Sequence, residues 1–172
     1  MRIKAEYDWP ALTLWRANVS TVNRPLYDKN IESVKLLEQI GTNLIQIRQK
    51  THRIVTVAPR DLFQMVLSNA FNDGTIMTIC YDTIQCDLPA TPGCVRMRCP
   101  LAGFKVSPNS KHPKTKCRMD CIIETSIGGN IPQFIQAIVV KDTAYGFDKL
   151  KPLMAEWYKE WKDRDEKEGI TD

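Results

Sequence analysis

Arg60-Asp61-Leu62-Phe63-Gln64-Met65-Val66-Leu67-Ser68-Asn69-Ala70, followed by Phe71-Asn72-Asp73-Gly74 and then Thr75-Ile76-Met77-Thr78-Ile79-Cys80-Tyr81, is the stretch whose reading decides the fold. The first segment is a long apolar run, and the last is rich in Thr, Ile and Tyr, residues that suit a pleated, half-buried surface. Asn72-Asp73-Gly74 between them is the strongest hairpin signal in the chain, because Asn, Asp and Gly tolerate the left-handed backbone that a tight reversal needs. The stretch predicts two antiparallel strands, Arg60–Ala70 and Thr75–Tyr81.

The same punctuation recurs on either side. Upstream, Asn30–Ile40 reads as extended, Gly41-Thr42-Asn43 turns the chain, Leu44–Gln49 returns, and Ile54–Val57 forms a short strand. Downstream, Val95–Val106 is a further strand, with Pro100 marking a bulge or an edge. Ser107–Thr115 is a loop, Lys116–Ile127 the last strand, and Gly128-Gly129-Asn130 ends the sheet. At the N-terminus Arg2–Tyr7 alternates as a strand does. Asp8 then caps a helix with Pro10 in its first turn and Leu12, Trp15 and Val19 at helical spacing, and Asn23-Arg24-Pro25 breaks it.

From Ile131 the period changes. Ile131, Ile135, Val139 and Phe147 lie on one i, i+4 row, which Leu150, Met154, Trp157 and Trp161 continue, and Pro132 occupies a first-turn position. Gly146 and Pro152 predict a weak point or kink. The whole reads as α+β, a curved antiparallel β-sheet wrapped around a long C-terminal amphipathic helix. An apolar helix row facing an apolar concave sheet leaves a space that is either filled by side chains or holds an apolar ligand, and periodicity does not choose between them.

The chain has 172 residues, 43% of them hydrophobic and 26% charged, which suits one globular unit with a sizeable core. Charged residues interrupt every long apolar stretch, and the first residues have no signal-peptide character, so a secreted or membrane-spanning chain is not expected. The six cysteines therefore read as reduced thiols in a cytosolic protein peripheral to membranes. None is spaced Cys-x-x-Cys, and they read as small buried hydrophobes rather than as ligands of a metal. The formal net charge is +4, and its distribution is uneven. Arg96 to Arg118 holds seven cations and no acid, whereas residues 162–172 hold three cations and five anions and read as a solvated, disordered tail after a domain of residues 1–161. The basic stretch is suited to an anionic membrane surface. Apart from Phe104 it lacks interleaved aromatics, so no nucleic-acid partner is expected.

Catalytic constellations are missing from the pattern: no phosphate-cradling glycine loop, no nucleophile elbow, no His-Glu-x-x-His. The two histidines, His52 and His112, read as solvated turn residues. The expectation is a protein that is not an enzyme and has no cofactor.

Val57-Ala58-Pro59-Arg60-Asp61-Leu62-Phe63 resembles the Pro-Arg-Asp-Phe segment of the START lipid-transfer domains. Further resemblances follow in family order. Tyr27-Asp28-Lys29-Asn30 is similar to the Trp-Asp segment, Asn72-Asp73-Gly74 to the hairpin, and Gly93-Cys94-Val95-Arg96 to the Gly-x-Val-Arg strand start. Gly129-Asn130-Ile131-Pro132 resembles the beginning of the C-terminal helix, and Gly146-Phe147-Asp148-Lys149-Leu150 falls where that helix carries a cavity-facing Phe. The resemblance implies a helix-grip fold and a single sterol, phospholipid or ceramide held in an apolar tunnel and carried between membranes; the alternative is a non-transferring sensor or adaptor read by a protein partner.

By this resemblance Gln49 and Val66 stand where sterol-binding members carry an acidic residue and its arginine partner, so a ligand that needs a buried cation is disfavoured. The implied lipid-contacting set is Gln49, Gln64, Val66, Met77, Ile79, Met97, Cys99, Ile135, Val139 and Phe147, with parity placing Gln64 beside Val66 and Met77 beside Ile79. Lys111, Lys114 and Lys116 are the expected membrane-docking cations. Arg60 is expected to tie strand ends together through charge-assisted hydrogen bonds. Trp157 and Trp161 are expected to pack on the sheet, with a membrane-interface anchor formed with Tyr158 as the alternative. The family pattern has a helix and two strands ahead of the unit that begins here at Arg2, so a sheet edge is expected to be uncovered and to invite a homodimer.

Overall fold

The computed structural model describes residues 1–82, 88–129 and 131–168. Cys86, Asn130 and residues 169–172, which figure in the readings above, lie outside the described residues. Strand β1 (Arg2–Tyr7) leads into helices α1 (Ala11–Val19) and α2 (Arg24–Tyr27). Strands β2 (Ile31–Gln39), β3 (Leu44–Thr51), β4 (Arg60–Ala70), β5 (Ile76–Tyr81), β6 (Val95–Arg96), β7 (Arg98–Pro108) and β8 (Cys117–Ser126) follow, and α3 (Gln133–Glu168) closes the fold. The sheet order is β1-β8-β7-β5-β4-β3-β2, antiparallel throughout, with β6 alone running parallel to β4.

The hairpin that opened the reading forms as expected. β4 keeps the bounds Arg60–Ala70, Phe71–Thr75 reverse the chain, and Gly74 takes φ 78°. The Asp73 carboxylate accepts from the Thr75 N–H at 2.9 Å and fixes the turn. Elsewhere the pattern is adjusted. Ile54–Val57 is a tight turn closed by reciprocal backbone hydrogen bonds, not a strand, and Val55 at its tip takes φ 54°, a conformation that β-branched residues avoid. The expected strand Val95–Val106 divides after Arg96 because β6 leaves to pair with β4. A register shift between Arg98 and Leu101 marks the bulge that Pro100 foretells.

α1 forms, but it buries a different face from the one expected. Leu14 and Ala17 are fully buried while Leu12 is 40% exposed, and Asp8 does not cap the helix but bonds Lys116 Nζ at 2.9 Å. The helix lies inside the curve of the sheet, where small residues admit close approach and Trp15 Nε1 reaches Thr78 Oγ1 at 3.0 Å.

α3 is continuous through Gly146 and Pro152, and it is helical to Glu168, so residues 162–168 extend the helix where a disordered tail was expected. Gly146 is a contact position rather than a weak point, because a Cβ there would stand 3.1 Å from the Tyr27 carbonyl oxygen of α2. The part of the helix from Phe147 to Trp157 carries the core. Phe147, Leu150, Met154 and Trp157 pack with Tyr7, Leu14, Ala17, Val106, Cys117 and Met119. Full burial of a large apolar side chain stabilises by about 1.5–3 kcal/mol, so this part is the firmly anchored one. Trp157 is buried and Trp161 packs beside it, their ring centroids 6.3 Å apart, while Tyr158 stacks on Trp9 at 5.2 Å; all three rings are engaged within the fold.

Candidate ligand-binding cavity

The N-terminal half of α3 spans a hollow. Between it and the concave face of the sheet lies a cavity of about 770 Å³, within the roughly 300–1,000 Å³ of sites that hold one small molecule. Strand register chooses its walls. Directly opposed residues of an antiparallel pair share a face, so Ile45 with Val66 and Ile47 with Gln64 line it from β3 and β4, and Cys80 opposite Val66 continues the wall on β5. Leu62, Gln49, Thr78, Met97 and Cys99 complete the sheet side, while Ile135, Val139, Val140 and Phe147 form the roof.

Eight of the ten residues expected to contact a lipid therefore line one space, and two do not. Met77 and Ile79 face the convex side. Register pairs Val66 with Cys80 and Ser68 with Thr78, so the concave positions of β5 are the even ones. A one-residue slip in parity moves every side chain of a strand to the other face. Met77 instead borders a shallow outer hollow with Phe71, Lys105 and Pro108.

Polar groups interrupt the apolar lining, among them Arg24, Asp28, Gln49, His52, Gln64 and Glu124. Gln49 Nε2 donates to Gln64 Oε1 across β3 and β4 in a short hydrogen bond, so Gln49 faces the cavity and not solvent. Burial pushes the Cys99 thiol up to about 11 against the opposing effect of its hydrogen bond with Gln64; Cys80 rises to about 12 and Cys121 to about 11, again through burial first. These thiols stay neutral at physiological pH, and a thiol without its thiolate is a poor nucleophile.

A half-buried cation that sequence reasoning missed stands in the wall. Arg24 of α2 donates through its terminal nitrogens to Tyr27 Oη at 3.1 Å and to Asp28 Oδ2 at 2.8 Å, and its Nε is buried with no hydrogen-bond partner. Asp28 is 3% exposed and its other oxygen accepts from the Asn30 N–H at 3.1 Å. Val66 leaves β4 without a cation at that position, and the cation in the lining comes from a helix instead. The signal that marked it was the Arg24-Pro25 pair, which read only as a helix break. The same segment latches the roof. Asn30 Nδ2 donates to the Val139 carbonyl at 3.4 Å and to Thr143 Oγ1 at 3.3 Å, and Lys29 Nζ lies 2.9 Å from Asp142.

Arg60 clamps the mouth. It is 6% exposed, and its guanidinium donates to the carbonyls of Ala58 (2.5 Å), Ile127 (3.1 Å) and Gly128 (3.1 Å), joining the β3–β4 loop to the linker before α3, where Gly128 and Gly129 take positive φ. On the convex side its neighbour Asp61, fully buried, accepts hydrogen bonds from Thr91 N–H (3.0 Å) and Thr91 Oγ1 (2.5 Å) and is ion-paired with Arg96 Nε at 2.6 Å and Arg48 Nε at 3.6 Å. Burial opposes its ionisation, yet the Thr91 bonds and the two cations hold the carboxyl below its ordinary range.

Val140, which lines the cavity, is 48% exposed, and Val55 and Phe134, next in sequence to the lining residues Ile54 and Ile135, are 66% and 63% exposed. Lys111 and Lys114 stand exposed in the β7–β8 turn, and Lys116 is bound to Asp8. That turn opens β8 at Cys117, whereas β8 meets the mouth beyond Ser126, roughly 30 Å away at about 3.3 Å per residue. His52 is on the cavity wall and His112 is in the distant lysine turn. Among the described residues no group of His, Cys, Asp and Glu is arranged to hold a metal, and no helix is long and apolar enough to cross a membrane.

Comparison with known proteins places this geometry. No family model matches the chain. Bovine StAR-related lipid transfer protein 5 is 25% identical over 114 residues, 65% of this chain and 53% of the relative, so the chain spans about half the length of the curated relative it matches. Among solved structures, human StAR-related lipid transfer protein 5 superposes with a TM-score of 0.80 at 21% identity, covering 91% of this chain and 76% of that one. Human STARD10 follows at 0.76 and 17%, covering 95% and 66%. The chain resembles the START domains and has their helix-grip fold.

Proposed function

We propose that this START-like chain binds one lipid without covalent chemistry in the cavity beneath α3 and carries it between membranes. The observation that carries the reading is a hollow of about 770 Å³ beneath α3, whose apolar side chains from β3, β4, β5 and α3 surround the Gln49–Gln64 pair, with the Arg24–Asp28 pair among the other polar groups of its lining. Each buried CH₂ of an acyl chain gains about 0.8 kcal/mol, so the apolar walls supply affinity. The polar groups choose the head. The Arg24 guanidinium in the lining favours a phosphate acceptor, because hydrogen bonds between ions are roughly twice as strong as neutral ones. A phospholipid is therefore favoured over a sterol or ceramide. The relatives that share the fold are named for lipid transfer, which agrees with this reading.

The membrane contact in this proposal is the mouth. Exposed Val55, Phe134 and Val140 suit the boundary between headgroups and acyl chains. Lys111, Lys114 and Lys116, at the far end of β8, would reach a membrane only with the mouth turned away from it.

The test is extraction of the purified chain with organic solvent, mass spectrometry of the extract, and transfer assays between liposomes loaded with phosphatidylcholine, phosphoinositide, sterol or ceramide. A copurifying phospholipid and its transfer are expected, with Val55→Glu and Phe134→Glu slowing transfer while binding persists. An empty protein that transfers none of the four overturns the proposal. Bound lipid without transfer supports the sensor or adaptor role instead.

A further inference from the structure

We propose that the outer edge of β1 pairs antiparallel with the same strand of a second copy of the chain, the twofold axis passing through Ala5. Among the described residues β1 has one strand partner, β8, in the register Ile3–Cys121, Ala5–Met119, Tyr7–Cys117. The Met1 amine donates to the Ile123 carbonyl at 2.7 Å, and the Ile123 N–H donates to the Met1 carbonyl at 2.9 Å. Hydrogen-bonded pairs recur at every second residue of an antiparallel ladder, so the bonds to β8 fall on the odd positions. The N–H and C=O groups of Arg2, Lys4 and Glu6 then point away from β8, along the sheet and outward. An edge of this kind is a template for another strand.

Charge selects the occupant and its register. Ile3, Ala5 and Tyr7 face the core, and the alternate positions, which are exposed, carry two positive charges and then two negative ones: Arg2, Lys4, Glu6 and, one residue past the strand, Asp8. A twofold at Ala5 sets Lys4 against Glu6 and Arg2 against Asp8, each of them twice, while Ile3 meets Tyr7 on the inner face. These opposed positions are also the ones whose backbone groups are free to exchange hydrogen bonds. Moving the axis to Lys4 brings Lys4 against itself, and moving it to Glu6 brings Glu6 against itself, so only the Ala5 register leaves every opposed pair of opposite sign. Like charges directly opposed across a ladder are destabilising. The junction continues to β8 and the residue before it, where Lys4 stands 3.9 Å from Asp120 and Lys116 stands 2.9 Å from Asp8.

The test is sedimentation velocity on the chain Met1–Asp172, with nothing added ahead of Met1, from micromolar to hundreds of micromolar protein at low and high salt. A monomer–dimer equilibrium that weakens with salt is expected. Lys4→Glu and Glu6→Lys alone each set like charges against one another at two positions and weaken the dimer by at least about tenfold. The double variant restores it, and so does an equimolar mixture of the two single variants, as a heterodimer. The rescues keep the result independent of any folding defect in one variant. A chain that stays monomeric throughout, or single variants that associate as tightly as the parent, overturns the proposal.

Discussion

Arg24 and Asp28 sit one helical turn apart and meet at 2.8 Å on the wall of the cavity, with the Asp28 side chain 4% exposed and the Arg24 side chain 23%. Taking the cation away strands a buried carboxylate, and breaking such a pair typically costs about 3–5 kcal/mol. Arg24→Gln is expected to lower stability in urea by about 3 kcal/mol, toward the lower end because the Arg24 side chain keeps some exposure. The double variant Arg24→Gln/Asp28→Asn regains most of that stability and still copurifies with little phospholipid. That split between stability and bound lipid, read by urea titration and by mass spectrometry of the same preparations, distinguishes a headgroup role from a purely structural one.

Gln49 and Gln64 satisfy one another inside an apolar wall. Gln64→Leu leaves the Gln49 amide without its partner and is expected to cost about 1–3 kcal/mol, whereas Gln49→Leu/Gln64→Leu together come close to neutral. The double variant is also expected to move the copurifying lipid toward more apolar species. Comparison of thermal midpoints and extract composition for the three proteins checks both statements.

Asp61 ties β4 to β6, β3 and the loop at Thr91. Its carboxyl titrates lower when folded than the ordinary value near 3.9 in the unfolded chain. The stability this shift contributes is therefore complete above the unfolded value and is lost as pH falls below about 4 through the folded one. Asp61→Asn is expected to lower stability at neutral pH by about 2–4 kcal/mol, since it leaves Arg96 and Arg48 without their anion. The gap between parent and variant narrows in urea titrations between pH 5 and pH 3, to the extent that both remain folded.

Gly146→Ala tests the seat of the roof. In a free helix the change favours helicity by about 1 kcal/mol. Here the new Cβ meets the Tyr27 carbonyl oxygen at 3.1 Å, and Tyr27 is 1% exposed and has little room to yield. A net loss of about 1 kcal/mol is expected, together with easier opening of the N-terminal half of α3. A lower thermal midpoint with faster lipid exchange checks it, and a higher midpoint contradicts the packing argument.

The contrast between Gln49 and Ile79 shows what was legible in advance. Both were placed by resemblance, and parity extended Val66 to Gln64 and Ile79 to Met77; the placement holds on β3 and β4 and fails on β5, across a reversal. The Phe71–Thr75 turn sets which parity of β5 opposes Val66, and the choice of Cys80 over Ile79 is a matter of turn geometry that no alternation pattern records. Arg24 was invisible for another reason. Its neighbours in sequence mark a chain break, and its role as a cavity cation appears once α2 is folded inside the sheet.

Sequence by itself determined the elements and their order: the β4–β5 hairpin, the bulge at Pro100, the long amphipathic α3, and the motifs that resemble START domains. These are written in local periodicity and turn chemistry, which act over a few residues. Tertiary structure alone decided which face of each strand looks inward, that the space beneath the first half of α3 stays hollow while the part from Phe147 to Trp157 is packed solid, and that Arg24 stands in its wall. Those outcomes depend on register and on side chains distant in sequence meeting one another, and the free energy of such contacts exists only once the sheet has closed around the helix.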